Sequence, residues 1–204
     1  MRASRIFVLA VAAICSSGAL AAQADLFSSP KVGFEIAKPA EWHYATAAQN
    51  LENLKSIKLT DDEYRSLMLK YATEPLVVMT KYPNPHDDLN PTIRVNIKPY
   101  NDLKGIPSTQ LMNMLLPQFR KMFKGFDLAQ APVDVDVSGT KSAYARMNYT
   151  IQALDGRAMP ITSELWIVPH GDYYFLIGAG TRQDEKSGSR DEIAAIIATV
   201  KITR

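Results

Sequence analysis

The sequence predicts an α+β fold, an antiparallel sheet covered by helices on both faces, and three observations carry that prediction. Between Ala143 and Ala153 the odd positions Ala143, Ala145, Met147, Tyr149, Ile151 and Ala153 are apolar, while Arg146, Asn148, Thr150 and Gln152 interleave with them. That is the period of two that marks a half-buried strand. Leu154-Asp155-Gly156-Arg157 follows; Asp-Gly supplies the two positive-φ positions of a two-residue type I′ hairpin turn, so the next strand runs antiparallel. Finally, Tyr173 to Ala179 is apolar on both sides, with Phe175 and Ile177 set against Tyr174 and Leu176, and such a strand needs cover on both faces.

The elements follow in order. Residues 1–24 read as a signal peptide: Arg2 and Arg5 form a charged region, Ile6 to Ile14 an apolar one, and Ala22-Gln23-Ala24 a small-residue cleavage site. Cleavage after Ala24 leaves 25–204 as one expected globular domain, of a size that can bury its own core. Asp25 to Val32 reads as an irregular leader, Gly33 to Pro39 as a first strand, and Trp42-His43-Tyr44 as the start of a second. Ala47 to Leu59 is ambiguous, with Leu51, Leu54 and Ile57 at helical spacing. Thr60-Asp61-Asp62-Glu63 is a capping box opening a helix that Glu74-Pro75 ends.

Leu76 to Tyr82 reads as a strand, Pro83 to Pro91 as a loop with three prolines, and Thr92 to Lys98 as a one-faced strand through Ile93, Val95 and Ile97. Ser108 is expected to cap a long helix bearing Leu111, Met112, Leu115, Leu116, Phe119, Met122 and Phe123, kinked at Pro117 and closed by Gly125. Val133, Val135 and Val137 alternate with Asp134 and Asp136. Met159 to Val168 supplies the partner of the Ala143 strand. Ser189-Arg190-Asp191-Glu192 is a second capping box, and Ile193, Ile196, Ile197 and Val200 give its helix an apolar stripe.

Composition excludes several function classes. The only cysteine, Cys15, falls inside the segment to be removed, so no disulfide is expected. Ile14 stands where a lipoprotein signal needs a small residue, which disfavours lipidation at Cys15. Loss of Arg2 and Arg5 takes the 23 basic residues to 21, matching the 21 acidic ones. With no basic run interleaved with aromatics, neither nucleic acid nor an anionic membrane surface is indicated as partner. No run after the signal segment approaches the roughly 20 apolar residues of a membrane-spanning helix. The expected location is the periplasm or the exterior.

Gly33-Phe34-x-Ile36-x-x-Pro39-x-x-Trp42 resembles the opening of PsbP-like and DcrB-like domains. The later order, a long central helix, a meander with a Tyr-Tyr-Phe strand and a terminal amphipathic helix, resembles the same family across most of Gly33 to Ile202. The resemblance implies an α/β/α sandwich and an accessory or binding module rather than an enzyme. It brings no functional residue with it, because no functional motif matches, and the 47–74 insert departs from the compact pattern.

Among candidate sites, His86-Asp87-Asp88 places an imidazole beside two carboxylates, the ligand types of a divalent metal site, in a loop whose Pro, Asn and Asp also suit a plain solvated turn. Asp134 and Asp136 share one side of a strand, as paired carboxylates do in acid–base work, yet also as exposed edges do to resist aggregation. His43 and His170 lack a nucleophile context, and His170 sits in a turn. Gly178 and Gly180 lack the third glycine and following helix of a phosphate loop; they are expected to let a helix lie close on the sheet. Trp42, Tyr44, Trp166, Tyr173 and Tyr174 are candidates for a binding surface.

The expected function is that of a non-catalytic envelope accessory domain binding a protein partner, with no cofactor. A small-molecule or lipid carrier using the Ser108 helix, and a metal-dependent hydrolase using the His86 loop, are the alternatives. The functional surface is expected near the 47–74 insert and the His86 loop rather than on the meander.

Overall fold

Alternating apolar residues pair into sheet because each strand must bury one face and satisfy its backbone at once. The computed structural model describes residues 24–46, 48–49, 52, 57–58, 75–153, 155–184 and 189–203. Residues 1–23 and the expected Thr60 helix lie outside them. In chain order the strands are β1 (Asp25–Ser29), β2 (Phe34–Lys38), β3 (His43–Tyr44), β4 (Ile57–Lys58), β5 (Val77–Thr80), β6 (Thr92–Pro99), β7 (Lys124–Val137), β8 (Thr140–Ala153), β9 (Ala158–His170), β10 (Tyr173–Arg182) and β11 (Lys201–Ile202). The helices delimited among the described residues are α1 (Ser108–Met122) and α2 (Arg190–Ile197). None of these helices is long and apolar enough to cross a membrane.

The large sheet has the order β3-β5-β6-β10-β9-β8-β4, with β7 also on β8, and a smaller sheet has the order β1-β2-β11. All pairings are antiparallel. In β9, Trp166 lies opposite Tyr144 of β8 and Ile177 of β10, while Leu165 lies opposite Ala145 and Gly178. The two faces therefore feed two cores. One gathers Trp166, Val168, Phe175, Ile177, Val95 and Met79; the other gathers Ala143, Ala145, Met147, Leu165, Ile167 and Tyr174.

Each helix joins one core. Leu111, Met112 and Leu116 of α1 pack in the second. Ile193, Ile196 and Ile197 of α2 pack in the first, together with Phe34 and Ile36 of β2. The expected antiparallel sheet is present, but its cover differs from plain helical layers: on the α2 side the small sheet shares the work.

The family-like opening now has a structural reason. Phe34 and Ile36 are fully buried and Trp42 is 2% exposed. Gly33 takes φ +62, and a Cβ there would overlap the Thr203 carbonyl oxygen and come 3.2 Å from His170 Nε2. The Thr203 N–H donates to the Gly33 carbonyl at 2.9 Å, so the C-terminal segment closes directly over this glycine.

Several local expectations are corrected. The leader forms β1, which pairs with β2 along all five residues; an open alternation is absent there because pairing, not burial, defines it. Ile57, expected on a helical stripe, lies in β4 against β8. The Asp155-Gly156 turn is not type I′: only Gly156 has positive φ, the Ala153 N–H reaches the Arg157 carbonyl at 2.9 Å, and the Asp155 carboxylate accepts the Arg157 N–H instead.

Helix α1 is capped at Pro107 rather than Ser108, with no side-chain cap bond, and it runs on through Pro117. Gly125 does not close it. Phe123 is already extended, and Gly125, at φ +68, opens β7 beside the register shift between Lys124 and Asp127, the bulge role of a left-handed glycine. Gly178 abuts the Leu165 side chain rather than a helix, and no described atom lies within 4 Å of a Cβ at Gly180.

The second capping box is also redirected. Ser189 makes no side-chain cap bond; its hydroxyl accepts from Lys81 Nζ at 3.1 Å, and Glu192 accepts from Lys81 at 2.6 Å and from Trp42 Nε1 at 3.1 Å. Lys38 Nζ donates to the Trp42 carbonyl at 2.8 Å, holding the same residue from the other side.

Two stability predictions follow from these contacts. Gly33→Ala should cost about 3 kcal/mol, because a left-handed alanine and a steric overlap add. Gly125→Ala, with the same φ sign and nothing within 4 Å, should cost only about 1 kcal/mol. Urea unfolding measures both, and equal losses would refute the close-approach argument. Glu192→Ala should cost about 1–2 kcal/mol by leaving Trp42 Nε1 without its acceptor and Lys81 with the Ser189 hydroxyl alone, with Glu192→Gln recovering part of it; fluorescence-monitored unfolding reads the difference.

Candidate functional site

The sequence-selected aromatics do not form one surface. Trp42 and Trp166 are buried in the α2-side core and Tyr174 in the α1-side core; Tyr173 is partly buried and Tyr44 is 40% exposed. Tyr173 donates its hydroxyl to the Val32 carbonyl at 2.9 Å. The rings of Trp42, Trp166 and Tyr174 therefore serve packing, and Tyr173 packs partly against the α2-side core.

The His86 loop is likewise engaged within the fold. His86 stacks on Tyr82 with centroids 4.6 Å apart, the Asp87 carbonyl accepts from Arg157 at 2.7 Å, and Asp88 pairs with Arg182 at 2.6 Å. The Leu89 amide and Arg182 hold the Asp88 carboxyl below its ordinary range. No group of three His, Cys, Asp or Glu among the described residues is placed to hold a metal ion. Asp134 pairs with Lys141 and Asp136 caps the Gly139 amide, so these two carboxylates stabilise the β7–β8 hairpin. His43 is exposed on β3, whereas His170 packs on Tyr173 and Phe175.

What the structure does bring together is the polar end of the α2-side face. Strand pairing sets Arg146 opposite Glu164, and Asn148 opposite Thr162, which in turn lies opposite Thr181. Directly paired residues share a face, so this row continues the one that carries Trp166 and Val168 at the apolar end. Helix α2 starts here with Arg190. Arg146, Asn148, Thr162, Arg182, Gln183 and Arg190 line a cleft of about 520 Å³.

Its electrostatics are unusual for a sheet. Glu164 is 6% exposed and accepts the Tyr144 hydroxyl at 2.5 Å, with Arg190 Nη2 at 3.6 Å. Burial first, then that hydrogen bond, pushes the Tyr144 phenol up to about 12, so the ring stays protonated and serves as donor to a carboxylate. Arg182 is held by Asp88 and by Asp184, the latter at 3.0 Å. The Thr162 hydroxyl donates to Asn148 Oδ1 at 2.9 Å.

Two donors are left over. Arg190 Nε is buried without a hydrogen-bond partner, and Arg146 makes no hydrogen bond or ion pair among the described residues. Sequence reading placed Arg146 and Asn148 on the solvent side of a half-buried strand and left the arginines unweighed. The available signal was a polar row shared by Ala143–Ala153 and Met159–Val168, aligned by their hairpin.

A second groove, of about 470 Å³, runs beside Leu26, Phe27, Tyr44, Pro75 and Leu76 at the rims of both sheets. Neither groove is lined by α1, the helix on which a carrier cavity was expected.

No family model and no curated protein sequence matches the chain. Solved structures do. The cyanobacterial PsbP (CyanoP) of Synechocystis sp. PCC 6803 aligns over 91% of this chain and 96% of its own, at 13% identity and TM-score 0.51. LpqN of Mycobacterium tuberculosis, involved in cell envelope biogenesis, aligns over 89% and 91%, at 13% identity and TM-score 0.52. A Bacteroides thetaiotaomicron VPI-5482 protein aligns over 88% of this chain at 15% identity and TM-score 0.47, and the chain spans about half of its length, 48%. At these identities the likeness is one of fold, and the PsbP-like resemblance read from Gly33–Trp42 is shown at that level.

Proposed function

We propose that this chain is an exported, non-catalytic accessory domain of the cell envelope, occupying 25–204 after removal of the signal segment, that binds a protein partner through the arginine-lined cleft. The observation that carries the reading is the cleft itself. It is concave, it lies on the large sheet at the start of α2, and among the described residues Arg190 Nε has no acceptor and Arg146 no ion pair. Arginine with polar, partly buried neighbours is the composition of recognition sites rather than of inert surface.

Three further observations support it. Of the residues first weighed for catalysis or metal binding, His86, Asp88 and Asp134 are engaged in structural pairs. The leader has the pattern of a secretory signal. The fold is shared with CyanoP and with LpqN, the latter involved in cell envelope biogenesis. In this reading the large sheet is the middle layer of an α/β/α sandwich, with α1 and α2 on opposite faces, and the His86 loop takes part by holding Arg182 through Asp88.

Two experiments test it. N-terminal sequencing of the protein recovered from the envelope fraction should begin at Asp25; recovery from the cytosol with Met1 intact would remove the export step. A photo-crosslinking amino acid at Gln183, on the cleft, should trap a discrete partner in native envelopes, and one at Lys201 should not. Loss of the adduct on adding Arg146→Glu is expected. Indifference to that change, or equal labelling from Lys201, would overturn the cleft as the contact surface.

A further inference from the structure

Among the described residues the cleft carries guanidinium donors without an acceptor, and these have a definite chemistry. Of the carboxylates that line it, Asp184 is engaged by Arg182 and Asp191 is exposed in the first turn of α2; Glu164, on the neighbouring position of β9, is engaged by Tyr144 and Arg190. Asn148 spends its carbonyl oxygen on Thr162, which leaves its amide N–H groups to donate. Arg190 Nε is buried without an acceptor, and Arg146 stands in the same row with its charge uncompensated by any ion pair among the described residues. A buried donor without a partner costs roughly 1–3 kcal/mol, and the Arg190 side chain, 38% exposed overall, presents the open part of its guanidinium to a ligand.

We infer that the cleft is a carboxylate-binding site, taking an acidic side chain of the partner between Arg146 and Arg190, with the Asn148 amide as a further donor. This rests on the reading of the cleft as the partner-binding surface. A planar, singly charged carboxylate matches the guanidinium fork in shape and charge. A phosphate dianion fits less well: Glu164 lies behind the arginines and Asp191, exposed in the first turn of α2, lies at the rim, so the second negative charge meets repulsion that a monoanion largely escapes.

The measurement is a titration of isotope-labelled protein, residues 25–204, following the arginine side-chain Nε–Hε signals. Three probes are compared at matched ionic strength: a twelve-residue Gly/Ser peptide with three central glutamates, sodium acetate and inorganic phosphate. The Arg146 and Arg190 signals should shift and saturate with the peptide at lower concentration than with acetate, and least readily with phosphate. Arg146→Gln should weaken peptide binding by about tenfold, the loss of one charge-assisted hydrogen bond. Because Arg146 has no ion pair among the described residues to lose, the thermal midpoint should stay unchanged. Asp191→Asn should tighten binding by about twofold, since it removes an exposed, screened repulsion.

Unshifted signals with all three probes, or phosphate saturating first, would overturn the inference; in that case a Gln183 crosslink that persists keeps the protein-binding reading alive with a different chemistry. Peptide and acetate saturating alike, with no crosslink, would support the carboxylate site and remove the protein partner.

Discussion

The placement of β9 in register between β8 and β10 is the constraint on which the rest of the structure depends. Ile167 and Val168 are both fully buried, one on each face, so the apolar half of the strand would tolerate either face. A slip of one residue reverses every side chain. What distinguishes the two registers is the other half. There Glu164 needs the Tyr144 hydroxyl, Thr162 needs Asn148, and Leu165 needs the space beside Gly178. A slipped strand would carry the Glu164 carboxylate into the core of Leu111 and Met147, where no partner waits, and an unpaired buried charge costs several kcal/mol. The polar row is thus part of the specification of the fold as well as the floor of the cleft.

The cleft itself follows from lengths. Helix α2 has eight residues and so spans about 12 Å, whereas β9 has thirteen and spans about 43 Å. One short helix cannot cover that face. At the apolar end the small sheet completes the cover through Phe34 and Ile36, and Gly33 with Thr203 seals the junction. At the other end the residues turn polar where α2 begins.

Strands with clean alternation, Thr92–Lys98 and Ala143–Ala153, were legible in the sequence, as was the doubly apolar Tyr173–Ala179; all three lie within strands of the sheet. So was the apolar stripe of α2, whose Ile193 and Ile196 are buried. β1 and the first half of β7 were not, because their residues alternate weakly and the register of β7 shifts three times along β8; pairing with a neighbour makes them strands, and a neighbour is invisible to a local pattern. The aromatics misled for a related reason. Trp42 and Trp166 have the composition of an interface, but both pack in the core with Ile193 and Ile196. Arg146 reads as a solvent residue on a half-buried strand, whereas Glu164 and Thr162 opposite that row are buried and Arg146 and Asn148 line a cleft.

The diverted capping box shows how such a cleft can be held ready for a ligand. Ser189 and Glu192 flank Arg190 in sequence, and both are tied to Lys81 at the end of β5, while Ile193 is fully buried just beyond. Arg190 is therefore positioned by core contacts of the large sheet, not by a loop. Arg182 is fixed by two carboxylates, and Arg146 stands on a central strand. Side chains so anchored lose little further freedom on association, so more of each contact appears as affinity. The rim groove is built differently: Leu26 is 54% exposed on an edge strand, and Tyr44 rises from a two-residue strand with the Lys38 ammonium 5.3 Å from its ring. A ligand there would have to order what it touches, whereas the arginine cleft has its donors in place before anything binds.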